Sequence, residues 1–584
     1  NFPAPAVMPL PSDNTGRLGG TTKQEAFLMP SEMFVVSSLE KVFSDARPMP
    51  FSGRLSMLRK DRLSLQIAYF VESPDGGQRH YGVPAKVTLE SPLKKWVKIH
   101  QVKEMPSAHP VTDASDGNYL RTTPGLYPDL LQPVQDGTVR LELGRWGALW
   151  IEICSDEETP AGEFPLTVTI TAGEGENTSV FSASVWVEVI PACLPAQELI
   201  HTEWFHGDCL ADYYHVEVFS EEHWELLRRQ IASAAEYGIN MILTPVVTPP
   251  LDTAVGGERT TIQLVDVSLN GGAYSFGFEK LDRWIRMCRE CGVQYFEISH
   301  LYTQWGARHC PKVMATVDGE YRRIFGWDTD ATGAEYRAFL TAFLPALTAE
   351  LERLGVDKQH AFFHVSDEPH GDHLPQYNAC KEQVASYLKG YAIMDALSDF
   401  NFYQQGVCEH PVVATNAVTP FLEGNVPNLW VYYCCSQGYQ VSNRFFSMPS
   451  ARNRIIGAQF YKYRIAGFLQ WGFNFYNSYW SLRHLDPFAV TDADSAFPSG
   501  DAFMVYPGPD GAPWSSIRQL VFAEALNDLR AFRLLESLTS RDYVMNLLEG
   551  GLSKEITFFE YPQDASYLLD LRVRVNQAIK ERCR

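Results

Sequence analysis

The chain has 584 residues, with 49 Lys+Arg against 70 Asp+Glu and a formal net charge of −21. That acidic balance, without any Lys/Arg block, argues against nucleic acid and anionic membrane surfaces as partners, since both call for basic patches. At 45% hydrophobic and 20% charged the composition is that of a globular protein with large cores, and no run approaches the ~18 apolar residues of a membrane span. The 13 Trp, 27 Tyr and 34 Phe serve cores, but they also suit a ligand that stacks, such as a sugar.

The chain opens on Asn1-Phe2-Pro3-Ala4-Pro5, with no basic stretch leading into an apolar one, so no secretory signal is visible. Eleven cysteines, odd in number and mostly in apolar or helical contexts, read as reduced thiols. Together these features predict a cytoplasmic protein. Cys288-x-x-Cys291 lies in a helical pattern with no second pair and reads as helix packing.

Residues 1–50 are Pro-rich and read as irregular. From 51 to 195 the texture is that of strands: Leu63-Ser64-Leu65-Gln66-Ile67, Val139-Arg140-Leu141-Glu142-Leu143, Leu166-Thr167-Val168-Thr169-Ile170 and Val185-Trp186-Val187-Glu188-Val189 all alternate. Such segments between Gly and Pro turns predict an antiparallel β-sandwich, with Trp186 in its core. Pro191-Ala192-Cys193-Leu194-Pro195 marks a boundary.

From 196 to about 540 strand and helix patterns alternate. Ser220 caps a helix whose apolar face is Trp224, Leu227, Ile231 and Ala235, ending at Gly238. The run from Asn240 to Val247 reads as a doubly buried strand. A helix along Leu281, Trp284, Ile285 and Cys288 leads into a strand at 293–298. Thr332-Gly333-Ala334-Glu335 reads as a capping box for a third helix, which Pro345 should kink. Ala361 to Ser366 forms the next strand, and Asn428–Tyr433 and Gly467–Trp471 read as the sixth and seventh. Alternation over this length means parallel strands with crossover helices. Without a G-x-G-x-x-G after any strand, a (β/α)8 barrel is expected, with chemistry at the C-terminal strand ends. Residues 541–584 read as a helical extension, making the chain a multidomain α/β protein.

Those strand ends carry Glu203, His300, Trp305, His364, Asp367, Glu368, Tyr433, Trp471, Asn474, Tyr479 and Trp480. Core packing explains Trp305, Trp471, Trp480 and His364 as readily as substrate contact, and turn stabilisation explains Asn474. The adjacent pair Asp367-Glu368 follows a buried strand directly. Two carboxylates in one aromatic pocket cannot both ionise easily, so one should act as an acid near neutral pH. That suits glycoside hydrolysis. A double displacement needs a second carboxylate across the sugar, yet residues 462–484 contain no Asp or Glu. The alternative is a substrate that supplies its own nucleophile, a 2-acetamido carbonyl closing to an oxazolinium ion, with Asp367 orienting the acetamido group and Glu368 as acid and then base.

At these residues the chain resembles glycoside hydrolase family 123. The shared features are the Ala161-Gly162-Glu163-Phe164 turn, Ser366-Asp367-Glu368-Pro369, Gly467 to Gly472, Gly500-Asp501 to Tyr506-Pro507-Gly508, and Ser515-Ser516-Ile517-Arg518. The resemblance implies a sandwich followed by a (β/α)8 barrel, β-N-acetylgalactosaminidase activity by substrate assistance, and Asp367 and Glu368 as the catalytic pair. It also implies a tyrosine on the acetamido oxygen; Tyr433 is the choice, with Tyr432, Tyr476 and Tyr479 as alternatives. The expected partner is a glycan containing N-acetylhexosamine; no cofactor is expected, no metal is expected because no His-rich spacing such as H-E-x-x-H occurs, and the lack of a G-x-S-x-G elbow disfavours a Ser-His-Asp hydrolase. A glycan-binding barrel without catalysis, a β-N-acetylglucosaminidase, and a conventional glycosidase using a nucleophile such as Asp486 stand as alternatives. Galacto and gluco sugars are not separated, because no motif places the side chains that read the 4-hydroxyl.

Overall fold

The computed structural model describes residues 31–72, 82–112, 114–172, 178–368 and 371–583. Its N-terminal part packs two five-stranded sheets face to face. One runs Ser31–Ser37, Arg62–Val71, Trp146–Cys154, Val97–Ser107, Gly125–Pro133; the other runs Leu55–Arg59, Ser179–Cys193, Gly162–Ala172, Gly82–Glu90, Thr138–Glu142. Neighbours are antiparallel except Leu55–Arg59, which lies parallel to Ser179–Cys193, a departure from the all-antiparallel expectation. The stretch read as irregular contributes the edge strand Ser31–Ser37, paired along its length with Arg62–Val71; residues 1–30 lie outside the described set.

Alternation decides what enters this core. Ala85, Val87 and Leu89 point inward from one strand, and Leu166, Val168 and Ile170 from its neighbour. On Ser179–Cys193 the same rule sends Val187 inward and leaves Trp186 63% exposed, so the core position expected for this tryptophan is corrected. Arg62–Val71 is buried on both faces. Leu65 and Ile67 fill the sandwich, while the backbone N–H of Ser64 donates to Glu524 Oε1 at 2.9 Å on the long helix Ile517–Leu538.

Eight parallel strands then close into a barrel: β1 (Ile200–Glu203), β2 (Met241–Thr244), β3 (Tyr295–Ile298), β4 (Ala361–Phe363), β5 (Ala392–Ala396), β6 (His410–Ala414), β7 (Trp430–Tyr432) and β8 (Gly467–Gln470). Closure is the pairing of β8 with β1, Gly467 opposite Ile200. Helical segments separate each strand from the next. The strands expected as sixth and seventh are the seventh and eighth. Two short strands, not one, lie between β4 and β7, hidden because Asp395 in β5 and Pro411 in β6 interrupt their apolar runs. The loops after β2 and β3 also build an unexpected four-stranded sheet from Asp266–Asn270, Ala273–Gly277, Val313–Val317 and Glu320–Phe325.

Ser220 caps the helix Glu221–Glu236, accepting the N–H of His223 at 3.2 Å. The expected capping box at Thr332 does not form. The Thr332 hydroxyl donates back to Asp330 Oδ1 at 3.0 Å, leaving Gly333 at the cap position. Pro345 lies within one helix, Ala334–Arg353. All eleven cysteines are unpaired, and among the described residues no helix is long and apolar enough to cross a membrane.

Buried charges join the two parts. Arg518 donates to Asp129 on strand Gly125–Pro133 through Nε at 2.7 Å and Nη2 at 2.9 Å, and Tyr506 adds its hydroxyl to the same carboxylate at 2.6 Å. Beyond 540, the helix Ala565–Arg582 brings Arg572 between Asp528 and Asp61, and Asn576 Nδ2 donates to Ser56 O at 2.9 Å. Replacing Asp129 by Ala strands the Arg518 guanidinium in a dry interface. The expected loss is about 3–5 kcal/mol, read as a lower urea midpoint; an unchanged midpoint would show that the pair does not join the layers.

Candidate active site

In a barrel, alternate residues of each strand face the axis. Met241, Leu243, Met394, Ala396, Val412, Ala414, Trp430, Tyr432 and Leu469 form that axial cluster. At the C-terminal ends of the strands the cluster opens into a cavity. Trp204, Trp305, Trp471 and Phe497 supply its aromatic lining, and Asp252, Gln304, Asp367 and Glu368 its polar lining, with Tyr432, Cys434 and Cys435 alongside.

Asp367 and Glu368 follow β4 by way of His364, Val365 and Ser366. Ser366 anchors the turn by donating to Thr303 O at 2.8 Å, and Asp367 O accepts the N–H of Trp305 at 3.0 Å. The Tyr432 hydroxyl donates to Glu368 Oε1 at 2.8 Å. Burial, reinforced by the adjacent Glu368 charge, raises the Asp367 carboxyl well above the usual range. Pro369 and His370 lie outside the described residues. Three lining residues adopt left-handed backbone although none is glycine: Asp252 (φ 39°), Glu368 (φ 44°) and Trp305 (φ 57°). Strain of this kind persists where surrounding contacts over-determine a functional conformation.

Below the pair is a dry charged layer. His364 contacts Glu297 Oε1 through Nε2 at 2.6 Å and Asp395 Oδ1 through Nδ1 at 3.2 Å. Glu297 also accepts Thr202 Oγ1 at 2.6 Å and Trp204 Nε1 at 2.7 Å. Burial disfavours a charge on His364, but bonding to Asp395 and Glu297 outweighs it and lifts the imidazole to about 10. His300 stacks on it at 4.2 Å, and burial with this neighbouring cation keeps His300 neutral. His364 therefore presents a positive charge that offsets part of the upward shift that burial and Glu368 impose on Asp367.

The remaining sequence candidates divide. Trp305 and Trp471 line the cavity, and Trp471 Nε1 donates to buried Asp501 at 2.9 Å. Tyr433 does not line it. One residue past β7, it faces the helices and bonds Asn453 Oδ1 at 3.0 Å, so strand parity gives the site to Tyr432 instead. Tyr476 is buried against Val505 O at 2.9 Å. Glu203 is held by Arg444 at 2.9 Å; burial raises its carboxyl, but Arg444 and His201 prevail and keep it low. Asn474 clasps the His206 backbone, accepting its N–H at 2.7 Å. Tyr479 and Trp480 stack on each other at 4.5 Å in a half-exposed loop outside the cavity lining. Asp486 is exposed and caps a turn through the N–H of Phe488 at 3.0 Å.

Sequence reasoning missed Asp252, Gln304, Glu297 and Asp395. The last two carried a signal, a single acid inside an otherwise apolar strand. Asp252 carried none. Burial lifts its carboxyl to about 7. No group of three or more His, Cys, Asp or Glu among the described residues could hold a metal ion.

Residues 204–535, more than half of the chain, match the family model for the glycoside hydrolase 123 catalytic domain. The chain belongs to glycoside hydrolase family 123. Among solved structures it is similar to a family 123 glycoside hydrolase from Clostridium perfringens, with TM-score 0.68 and 15% identity over 94% of this chain and 98% of that one. An endo-β-1,4-mannanase from Thermotoga petrophila (TM-score 0.31, 12% identity, 57% and 77% covered) and a Parabacteroides merdae β-glucuronidase (TM-score 0.27, 9% identity, 84% and 51% covered) are more distant. No curated protein matches. In this family 123 protein the matched region contains the whole cavity lining.

The charged layer has a pH signature. Because His364 is raised from 6.5 to about 10 on folding, its contribution is full below about pH 6.5 and is lost as pH rises through about 10. Urea midpoints should therefore fall more between about pH 7 and about pH 10 in the wild type than in His364→Gln. Equal falls would show that His364 is not charged in the native state.

Proposed function

We infer that this family 123 protein is a retaining glycoside hydrolase on a (β/α)8 barrel that releases β-linked N-acetylgalactosamine with substrate assistance. The observation that carries this reading is the cavity itself. It brings two adjacent carboxylates, a tyrosine hydroxyl on one of them and three indole walls into one concave site. Apolar sugar faces stack on indoles, and the carboxylates meet the reacting end.

Glu368, oriented by Tyr432, donates its proton to the glycosidic oxygen as the acetamido carbonyl oxygen bonds to the anomeric carbon and the C–O bond to the leaving group breaks. The acetamido N–H donates to Asp367, which offsets the positive charge of the oxazolinium ion. That hydrogen bond and the His364 charge behind it both act against the burial that raises the Asp367 carboxyl, so a bound acetamido group draws Asp367 toward its ionised form. Water, deprotonated by Glu368, then opens the ring from the face the leaving group vacated. Two inversions give retention. The Clostridium perfringens relative is described by glycolipid glycan hydrolysis, and a glycolipid glycan ending in this sugar is the substrate class we assign.

Asp252 favours a second reading. It is a third carboxylate in the same cavity, so a conventional covalent intermediate has a nucleophile available. Its carboxyl, lifted to about 7 by burial, is only about half ionised at neutral pH, which weakens it as a nucleophile.

A panel of 4-nitrophenyl glycosides tests the assignment. The 2-acetamido galactoside should be cleaved and its 2-hydroxy counterpart should not; comparable rates would rule out substrate assistance. Glu368→Gln should lower kcat by about 1,000-fold and Asp367→Asn by roughly 100- to 1,000-fold. Tyr432→Phe should lower kcat/KM about tenfold, while Tyr433→Phe stays within about twofold. The reverse order would return the role to Tyr433.

A further inference from the structure

Two polar groups in the cavity have no part in the substrate-assisted reaction proposed above. Asp252 lies in the loop after β2, and Gln304 in the loop after β3, and both line the cavity. Gln304 is 5% exposed, and its Nε2 has no hydrogen-bond partner among the described residues. A buried amide donor left unsatisfied costs about 1–3 kcal/mol, so its retention in a pocket points to a ligand that meets it.

The amide orientation is forced. The backbone N–H of Asp252 donates to Gln304 Oε1 at 2.7 Å, and an N–H can only be met by the oxygen end. Gln304 is therefore locked with its NH2 as the free end. Asp252 is held as firmly. Its Oδ2 accepts the N–H of Trp480 at 3.1 Å, its carbonyl accepts Ser481 Oγ at 2.7 Å, and Ala254 N–H reaches Trp480 O at 3.0 Å. With φ at 39°, its backbone conformation is imposed by these contacts. One carboxylate oxygen is thus committed to the scaffold and the other is left for a ligand.

The geometry points to a sugar-reading subsite in which the second carboxylate oxygen of Asp252 accepts, and Gln304 Nε2 donates, hydrogen bonds to one or two ring hydroxyls of the bound pyranose. This rests on the proposed carbohydrate substrate. A hydroxyl both donates and accepts, so an acceptor and a donor fixed against each other select its position, whereas a carboxylate or an amide alone would be promiscuous. In a 2-acetamido pyranose the free hydroxyls are those at C3, C4 and C6, so the hydroxyl read is one of these three.

Equilibrium binding of N-acetylgalactosamine and its 3-, 4- and 6-deoxy analogues, by calorimetry, tests this without turnover. Asp252→Asn keeps an acceptor for Trp480, and Gln304→Glu keeps one for Asp252, so both preserve the scaffold. Wild type should bind one deoxy analogue about tenfold more weakly than the parent sugar. Each variant should lose that discrimination, binding the parent about tenfold more weakly and that analogue as the wild type does. Equal affinity of wild type and variants for the parent, or binding of none of the sugars, overturns the subsite. So does covalent labelling of Asp252 by a 2-fluoro sugar, which would make it the nucleophile. The pattern without any glycoside cleavage would leave the subsite and remove the proposed catalysis; cleavage without the pattern would do the opposite.

Discussion

A closed barrel of short parallel strands allows little choice about which side chains face its axis, because each strand sends alternate residues in and out and closure of β8 on β1 locks every register at once. The rest of the molecule follows from that alternation. It puts Trp430 and Tyr432 inside and Val431 and Tyr433 against the helices. It also lets Glu297 on β3 and Asp395 on β5 converge on His364. A slip by one residue on any of these strands would bury an unpaired charge or turn the Tyr432 hydroxyl away from Glu368.

The second constraint is electrostatic. Carboxylates in an aromatic cavity are expensive to ionise, and the buried His364 imidazolium offsets part of that cost for Asp367, whose carboxyl still lies well above the usual range. His364 is neutralised from below by two acids and stacked against a neutral His300. Its field reaches Asp367 through the backbone turn they share, without occupying space that a sugar needs. The sandwich takes no part in the cavity lining. It covers the long helix after β8 through Asp129–Arg518 and Ser64–Glu524, and so supports the strand ends indirectly.

Much of the organisation was legible because it rests on local periodicity. The alternation of Leu166-Thr167-Val168-Thr169-Ile170, the Ser220 cap and the carboxylate pair after a buried strand all announce themselves over a few residues. What stayed hidden depended on distant partners. Asp395 and Pro411 disguised two strands, since an acid in a barrel strand makes sense only with His364 opposite. Trp186 alternates like its neighbours, yet nothing local says which face of its strand is covered. Asp252 follows Pro249-Pro250-Leu251 with no pattern, and only its contacts with Gln304 and Trp480 bring it to the pocket.

The amino-acid sequence by itself determined an acidic two-part chain, a strand-rich beginning, a run of alternating strands and helices, and Asp367-Glu368 as the place to look for chemistry. Each of these is a property of neighbouring residues or of composition. Only the tertiary structure decided that Tyr432 rather than Tyr433 meets Glu368, that Glu203 and Asn474 are structural clasps, and that Asp252 and Gln304 share the cavity. Those outcomes turn on which of two adjacent residues faces the axis and on which loops meet across it. Both are set by barrel closure, a contact between segments more than 250 residues apart in sequence.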